Sequence, residues 1–220
     1  MPSTTLKQLE TDIEKRIRRR KALRNKKQRL HQGREARREA HAVRSLRRRL
    51  DRVQELHALP RTQYDSVSVQ NIPHDAKAAA YYVNGLYANE AEVKRQAPNA
   101  KYTSITVNTS AVADVLDVEV GDATIADCPG WYRKFKAARP KQKPIFYTSA
   151  SNVDALVTTL KAAGITRDKY LIWTAHYIGP HFCGEGCEYA KSAGKVDATQ
   201  YTTNNETLDV SLCRVSYWRR

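Results

Sequence analysis

Apolar positions fall into two regimes along the 220 residues. From Leu6 to Leu59 they stand singly among charges. Leu9, Leu23 and Leu30 keep a seven-residue register that Arg16 interrupts; Val43 and Leu50 are seven apart, as are Leu46 and Val53. This is an a/d seam of coiled-coil type, with a one-residue slip of phase between Leu30 and Val43. The stretch contains no proline, a single glycine (Gly33), and mostly the good helix formers Arg, Lys, Leu, Glu and Ala. It predicts one long helix, or two meeting at a kink near Gly33, about 80 Å long at 1.5 Å per residue. A lone amphipathic helix of that length cannot bury its own stripe.

After Pro60 the pattern changes to short β-branched and aromatic runs bounded by Gly, Pro, Asn and Asp. Strands are predicted at Tyr64 to Val69, Ala79 to Gly85, Tyr102 to Asn108, Val115 to Gly121, Pro144 to Ser149, Tyr170 to Tyr177, Asp197 to Thr202 and Thr207 to Cys213. Helical composition separates the first six. Pro73 opens one helix, Asn89 caps another, a short one follows Asn108, a longer one spans Thr124 to Ala138, and Ser151 to Ala163 is amphipathic and ends at Gly164. Strands alternating with helices imply parallel βα units. A Cys- and Gly-rich loop joins the sixth and seventh strands, and only Thr203 to Glu206 joins the last two, which must therefore form an antiparallel hairpin. Five βα units followed by three strands are too short for a full TIM barrel of about 250 residues, so a reduced TIM-like α/β barrel is expected.

Charge sharpens the division. Residues 1–60 hold 19 basic and 7 acidic side chains of the chain's 38 and 23, which places +12 of the formal +15 in the helical segment. This argues against a single nucleic-acid-binding globule and for a basic arm (1–60) joined to a nearly neutral domain (61–220). Three readings fit the arm. It is a homo-oligomerisation coiled coil, or a binder of an anionic envelope surface through Leu and Val on one face and Arg on the other, or a nucleic-acid binder. For the last, Arg16 to Lys21 and Arg47 to Arg49 would meet phosphates, but the arm has no aromatic residue to stack on bases. No window reaches the roughly 18 apolar residues of a membrane span. Charged or polar residues separate Leu6, Leu9 and Ile13, so no signal peptide is expected.

Candidate chemistry lies at the predicted strand ends. In Leu116-Asp117-Val118-Glu119 the strand period of two puts both carboxylates on one face, about 6.6 Å apart, with Val118 on the other. Paired carboxylates at a barrel mouth suit glycosidic cleavage, in which one protonates the leaving oxygen and the other stabilises positive charge on the sugar. Crowding of like charges raises the pKa of the acid. Asp65 and Asp209 lie on the first and last strands, neighbours in a closed barrel. Tyr147, Trp173, Tyr177, Gln200 and Tyr201 add groups that stack on and hydrogen-bond to sugars.

Val-Leu-Asp-Val-Glu at 115–119, Pro-Ile-Phe-Tyr-Thr-Ser at 144–149, Ile-Trp-Thr-Ala-His-Tyr at 172–177, Thr-Gln-Tyr-Thr at 199–202 and Leu-Asp-Val-Ser at 208–211 follow one order and spacing. In these motifs the chain resembles glycoside hydrolase family 25, the lysozyme-like N-acetylmuramidases of bacteria and bacteriophages, over about residues 64–213. The resemblance implies a (β/α)5β3 barrel that cuts the β-1,4 bond of peptidoglycan without cofactor or metal. It implies Glu119 as general acid, and Asp117 as the residue that orients or stabilises the substrate's acetamido group. Asp65 and Asp209 would complete the acidic cluster, and Tyr147 would line the subsite. Release at lysis through a holin-type hole, or carriage in a virion, is the expected route to the wall. The other expectation is a catalytically inactive virion or wall-binding protein whose barrel only holds glycan.

Four cysteines, Cys128, Cys183, Cys187 and Cys213, are too few for a disulfide scaffold. His181, Cys183 and Cys187 form His-x-Cys-x3-Cys, but structural zinc asks for four ligands, usually with closer cysteines. The first expectation is a disulfide stapling the loop, Cys183 to Cys187 or one of them to Cys213, with free thiols and a zinc site as the other readings and Cys128 unpaired.

Overall fold

The runs after Pro60 form eight strands: β1 (Thr62–Asp65), β2 (Ala78–Tyr82), β3 (Lys101–Thr106), β4 (Val115–Asp117), β5 (Ile145–Ser149), β6 (Leu171–Ala175), β7 (Ala198–Asn204) and β8 (Leu208–Cys213). In this computed structural model they pair in sequence order and close as a barrel. Neighbours from β1 to β7 are parallel, and β8 is antiparallel to both β7 and β1. The β7–β8 hairpin runs from the pair Ala198 and Cys213 to the pair Asn204 and Leu208, with a register shift between Gln200 and Thr202. The structure describes residues 15, 17–26, 41, 43–45, 61–184, 187–204 and 207–219.

The chain divides into two units, Met1–Ala58 and Leu59–Arg220. In the first, the described residues are helical and exposed, Ile17, Leu23 and Val43 among them. Leu9, Arg16, Leu30, Gly33, Leu46, Leu50 and Val53 lie outside the described residues, and with them most of the heptad seam and the expected kink. No described helix is long and apolar enough to cross a membrane.

In the second unit, helix α1 (Glu90–Gln96) links β2 to β3, α2 (Cys128–Ala138) links β4 to β5, α3 (Val153–Ala162) links β5 to β6, and α4 (Val215–Trp218) follows β8. Pro129 begins α2 where a missing N–H costs nothing. Beyond α3 the chain turns at Gly164, whose φ of +76° a side chain would oppose. Two expected helices are absent. After Asn71 the segment opened by Pro73 makes only a turn, and after Asn108 there is a loop. There Asn108 Oδ1 accepts the Ser110 N–H at 3.0 Å, a local bond that competes with helix formation. The short α4 has no periodic signal and was not anticipated.

Strand alternation creates two layers. Leu116, Val118, Phe146 and Ile172 point outward into a cluster with Trp131 and Phe135 of α2 and with Val153, Leu156 and Leu160 of α3. Ala78, Ala80, Ile105, Val115, Ile145, Tyr147, Leu171, Trp173 and Ala198 form the inner cluster. Tyr217 and Trp218 of α4 join that cluster at the end where the Cys213 N–H meets the Arg61 carbonyl. The opposite end, at the C-termini of the parallel strands, holds the polar residues.

Candidate active site

Asp65 is the last residue of β1 and lies opposite Asp209 of β8; Asp117 is the last of β4 and lies beside Tyr147 of β5. The β4 ladder continues one step past its end. Val118 N–H donates to the Tyr147 carbonyl at 2.9 Å, and Thr148 Oγ1 donates to the Val118 carbonyl at 2.8 Å. Alternation therefore persists: Val118 is buried in the outer cluster while Asp117 and Glu119 share the inner side. Electrostatics agrees, because Glu119 acts on Asp65, Asp117, Tyr82 and Tyr147.

Two acids elsewhere show what structural carboxylates look like in this chain. Asp114 accepts from Arg139 at 2.8 Å and from Ser104; Asp197 accepts from Arg167 at 2.8 Å, from the Ile172 N–H and from Ser216. Among the described residues no ion pair reaches Asp65, Asp117, Glu119 or Asp209. One carboxylate oxygen of Asp65 and one of Asp117 are buried without a hydrogen-bond partner.

The consequence is a set of acids that resist ionising. Burial, followed by the charges of Asp209, Asp117 and Glu119, holds Asp65 well above the carboxylate range. Burial, with Glu119 and Asp122, pushes Asp117 up to about 8. Loss of water around the carboxyl raises Glu119 too, helped by Asp122 and Asp209, although the residue itself sits exposed at the rim. Asp209 is raised by burial to about 6 against the opposing hydrogen bond from Gln200. Desolvation and like charge act in the same direction and disfavour ionisation of the cluster.

A polar network borders these acids. Tyr147 OH donates to Gln200 Oε1 at 2.7 Å, and Gln200 Nε2 donates to Tyr177 OH at 3.0 Å. Gln200 is thus fixed in orientation while Tyr177 remains exposed. Trp173 fills the barrel: it is 1% exposed, lies 4.7 Å from the Tyr147 ring, and donates to Ser211 Oγ at 2.9 Å. Tyr201 does not join this group. It packs against a second outer cluster, with Ile72, Val93 and Val210, because alternation along β7 turns it to the face opposite Gln200. Tyr82, at the end of β2, is a member that the sequence did not reveal. Its hydroxyl is raised by burial and by Asp65, Asp117, Asp209 and Glu119. The adjacent pair Tyr81-Tyr82 gave no phase to say which ring turned inward; Tyr81 turns out, edge-on to Tyr102 at 6.2 Å.

The expected disulfide is not formed. Cys183 and Cys187 are unbridged, with Sγ atoms 3.7 Å apart, against about 2.05 Å for an S–S bond. Cys213 belongs to the inner cluster with α4, and Cys128 to the outer cluster. The cysteines of the loop are grouped instead with His176 and His181. The chain matches no protein-family model, no curated protein and no solved structure.

Proposed function

We propose that the second unit is a glycoside hydrolase, an N-acetylmuramidase of the lysozyme type acting on bacterial peptidoglycan. Its barrel we read as a shortened (β/α)5β3 form akin to glycoside hydrolase family 25. The observation that carries the reading is the convergence of Asp65, Asp117, Glu119 and Asp209 at the C-terminal end of the parallel strands. Among the described residues no cation pairs with them, and their pKa values are raised. The parallel run from β1 to β7 and the single antiparallel strand favour this topology over other closed barrels, even though among the described residues only α1, α2 and α3 remain of the crossover helices.

Each residue then has a task. Glu119, protonated and at the rim, gives its proton to the leaving oxygen as the glycosidic C–O bond breaks. The substrate's acetamido carbonyl oxygen forms the new bond to the anomeric carbon, and positive charge develops on that ring. Asp117 faces the acetamido N–H, whose hydrogen bond favours the carboxylate over the acid and so brings a negative charge beside the positive one. Water then attacks the anomeric carbon and breaks its bond to the acetamido oxygen, Glu119 takes the water's proton, and two inversions leave the configuration retained. Gln200, held between Tyr147 and Tyr177, orients the sugar. The basic arm concentrates the enzyme on an anionic envelope.

The test is release of reducing ends from purified peptidoglycan. Glu119→Gln keeps size and shape but cannot transfer a proton, and activity should fall about 100- to 10,000-fold in a chain that folds and melts no lower than the wild type. An inactive wild-type chain whose sedimentation with cell walls survives high salt, which screens the arm, would replace this reading with a glycan-binding module, and an active Glu119→Gln variant would remove the assigned acid.

A further inference from the structure

We propose that His176, His181, Cys183 and Cys187 bind one zinc ion as a closed structural centre that stands in for the missing crossover helix between β6 and β7. The proposal is independent of the hydrolase reading. The four ligand atoms lie within 4.8 Å of one another. His176 Nδ1 is 3.1 Å from His181 Nε2, 3.3 Å from Cys183 Sγ and 3.4 Å from Cys187 Sγ. Cys183 Sγ is 3.3 Å from His181 Nε2 and 3.7 Å from Cys187 Sγ. A tetrahedron with metal–nitrogen bonds of about 2.05 Å and metal–sulfur bonds of about 2.3 Å has edges of about 3.3, 3.6 and 3.8 Å for N···N, N···S and S···S. Five of the six edges agree with it to within about 0.3 Å, and the sixth, from His181 Nε2 to Cys187 Sγ, is no longer than 4.8 Å and must close on the ion.

Hydrogen bonding does not account for this cluster. A ring nitrogen either donates one proton or offers one lone pair, yet His176 Nδ1 faces three polar atoms at once. The His181 ring is already committed, because its Nδ1–H donates to the Gly179 carbonyl at 2.7 Å. In the neutral ring this leaves the Nε2 lone pair directed into the cluster, as outer-sphere bonding of this kind does for metal-bound histidines. A cation at the centre satisfies all four atoms together. Two thiolates and two imidazoles in a tetrahedron select zinc, and with every position occupied by protein no site is left open for water, so the centre is structural.

The fold supplies the need. β6 and β7 are parallel, which requires a crossover, and among the described residues the connection holds only the short turn Lys191–Ala193. Elsewhere α2 and α3 provide the apolar face that anchors such a crossover. Here Cys183, Ala190, Ala193 and Val196 are buried instead, and Cys183 N–H donates to Thr199 Oγ1 of β7 at 3.2 Å. The chain folds back closely enough that a Cβ on Gly184, at φ +84°, would lie 2.1 Å from the Gly194 carbonyl oxygen. His176 is the first residue after β6, and its N–H still bonds to the Gln200 carbonyl. One ligand is therefore fixed by the barrel, and the others draw the loop onto it.

Elemental analysis of the purified full chain should give one zinc per chain. Cobalt(II) exchanged into the wild-type chain should show the visible bands of a tetrahedral ion and thiolate-to-metal charge transfer in the near ultraviolet. Cys183→Ser and Cys187→Ser should lose the stoichiometric zinc and the charge-transfer band, and a strong chelator should lower the melting temperature of the wild type. A metal-free wild-type chain whose melting is indifferent to zinc and chelator would overturn the proposal. So would bound cobalt without a thiolate band, or a Cys183–Cys187 disulfide in a non-reduced peptide map. The wild-type measurements decide the matter even where a variant fails to fold.

Discussion

Asp117 illustrates the conflict between function and stability at a single residue. Burial places its pKa at about 8 in the folded chain, against about 3.9 for an unperturbed aspartate. The folded state therefore binds the proton more tightly than the unfolded state. The contribution to stability is fully present below about pH 4 and is lost as the pH rises through about 8. Asp117→Asn removes that loss. The variant should melt above the wild type at pH 8, with the gap closing toward pH 4, while muramidase turnover collapses; melting curves and reducing-end assays across that range check both. Asp65, shifted in the same direction, keeps part of the slope in the variant. The pair Asp117 and Glu119 was legible because a period of two needs only local sequence. His176 escaped notice for the opposite reason: it follows β6, apart from the His181, Cys183 and Cys187 group, and only the return of the loop makes it the fourth ligand.

Elements follow the sequence where an apolar face repeats. The face of α3 buries Val153, Leu156 and Leu160, and that of α2 buries Cys128, Trp131 and Phe135. The edge-to-face contact of Trp131 with Phe146 at 5.7 Å fixes α2 on β5, and that of Phe146 with Tyr170 at 5.7 Å ties β5 to the residue before β6. Val118 belongs to this packing although it stands between two site carboxylates. Val118→Ala should lower stability by about 1 to 3 kcal/mol in denaturant melts, with turnover per folded molecule retained. Strong loss of turnover in a folded Val118→Ala variant would show that the alternation past β4 is wrong. Elements were mispredicted where local polar bonds governed the backbone. Asn108 closes its own turn and so ends a segment whose composition suggested helix. In α4, Tyr217 and Trp218 are helical because the barrel end accepts two aromatic rings, with Tyr217 6.2 Å from Trp173, and a four-residue element has no period to display.

Across the whole molecule the charge is divided as the chain is. With +12 in residues 1–60, binding of the intact chain to anionic vesicles or cell walls should weaken steeply from low to physiological salt. A chain beginning at Leu59 should bind weakly and with little salt dependence; equal affinity of the two chains in a sedimentation assay would remove the targeting role from the arm. By itself the sequence determined the basic segment, the strand order, the antiparallel last pair and the carboxylate pair of β4. Each follows from properties that neighbours in sequence share: charge density, a period of two or 3.6, and a link too short to cross over. Only the tertiary structure decided that the barrel closes, so that Asp65 and Asp209 stand opposite each other across the β1–β8 seam as expected, that Tyr82 and not Tyr81 turns inward, and that two histidines and two cysteines converge. Those facts depend on barrel closure and on where a loop returns. Desolvation and close approach between residues distant in sequence exist only once the chain has folded, so no local pattern encodes them.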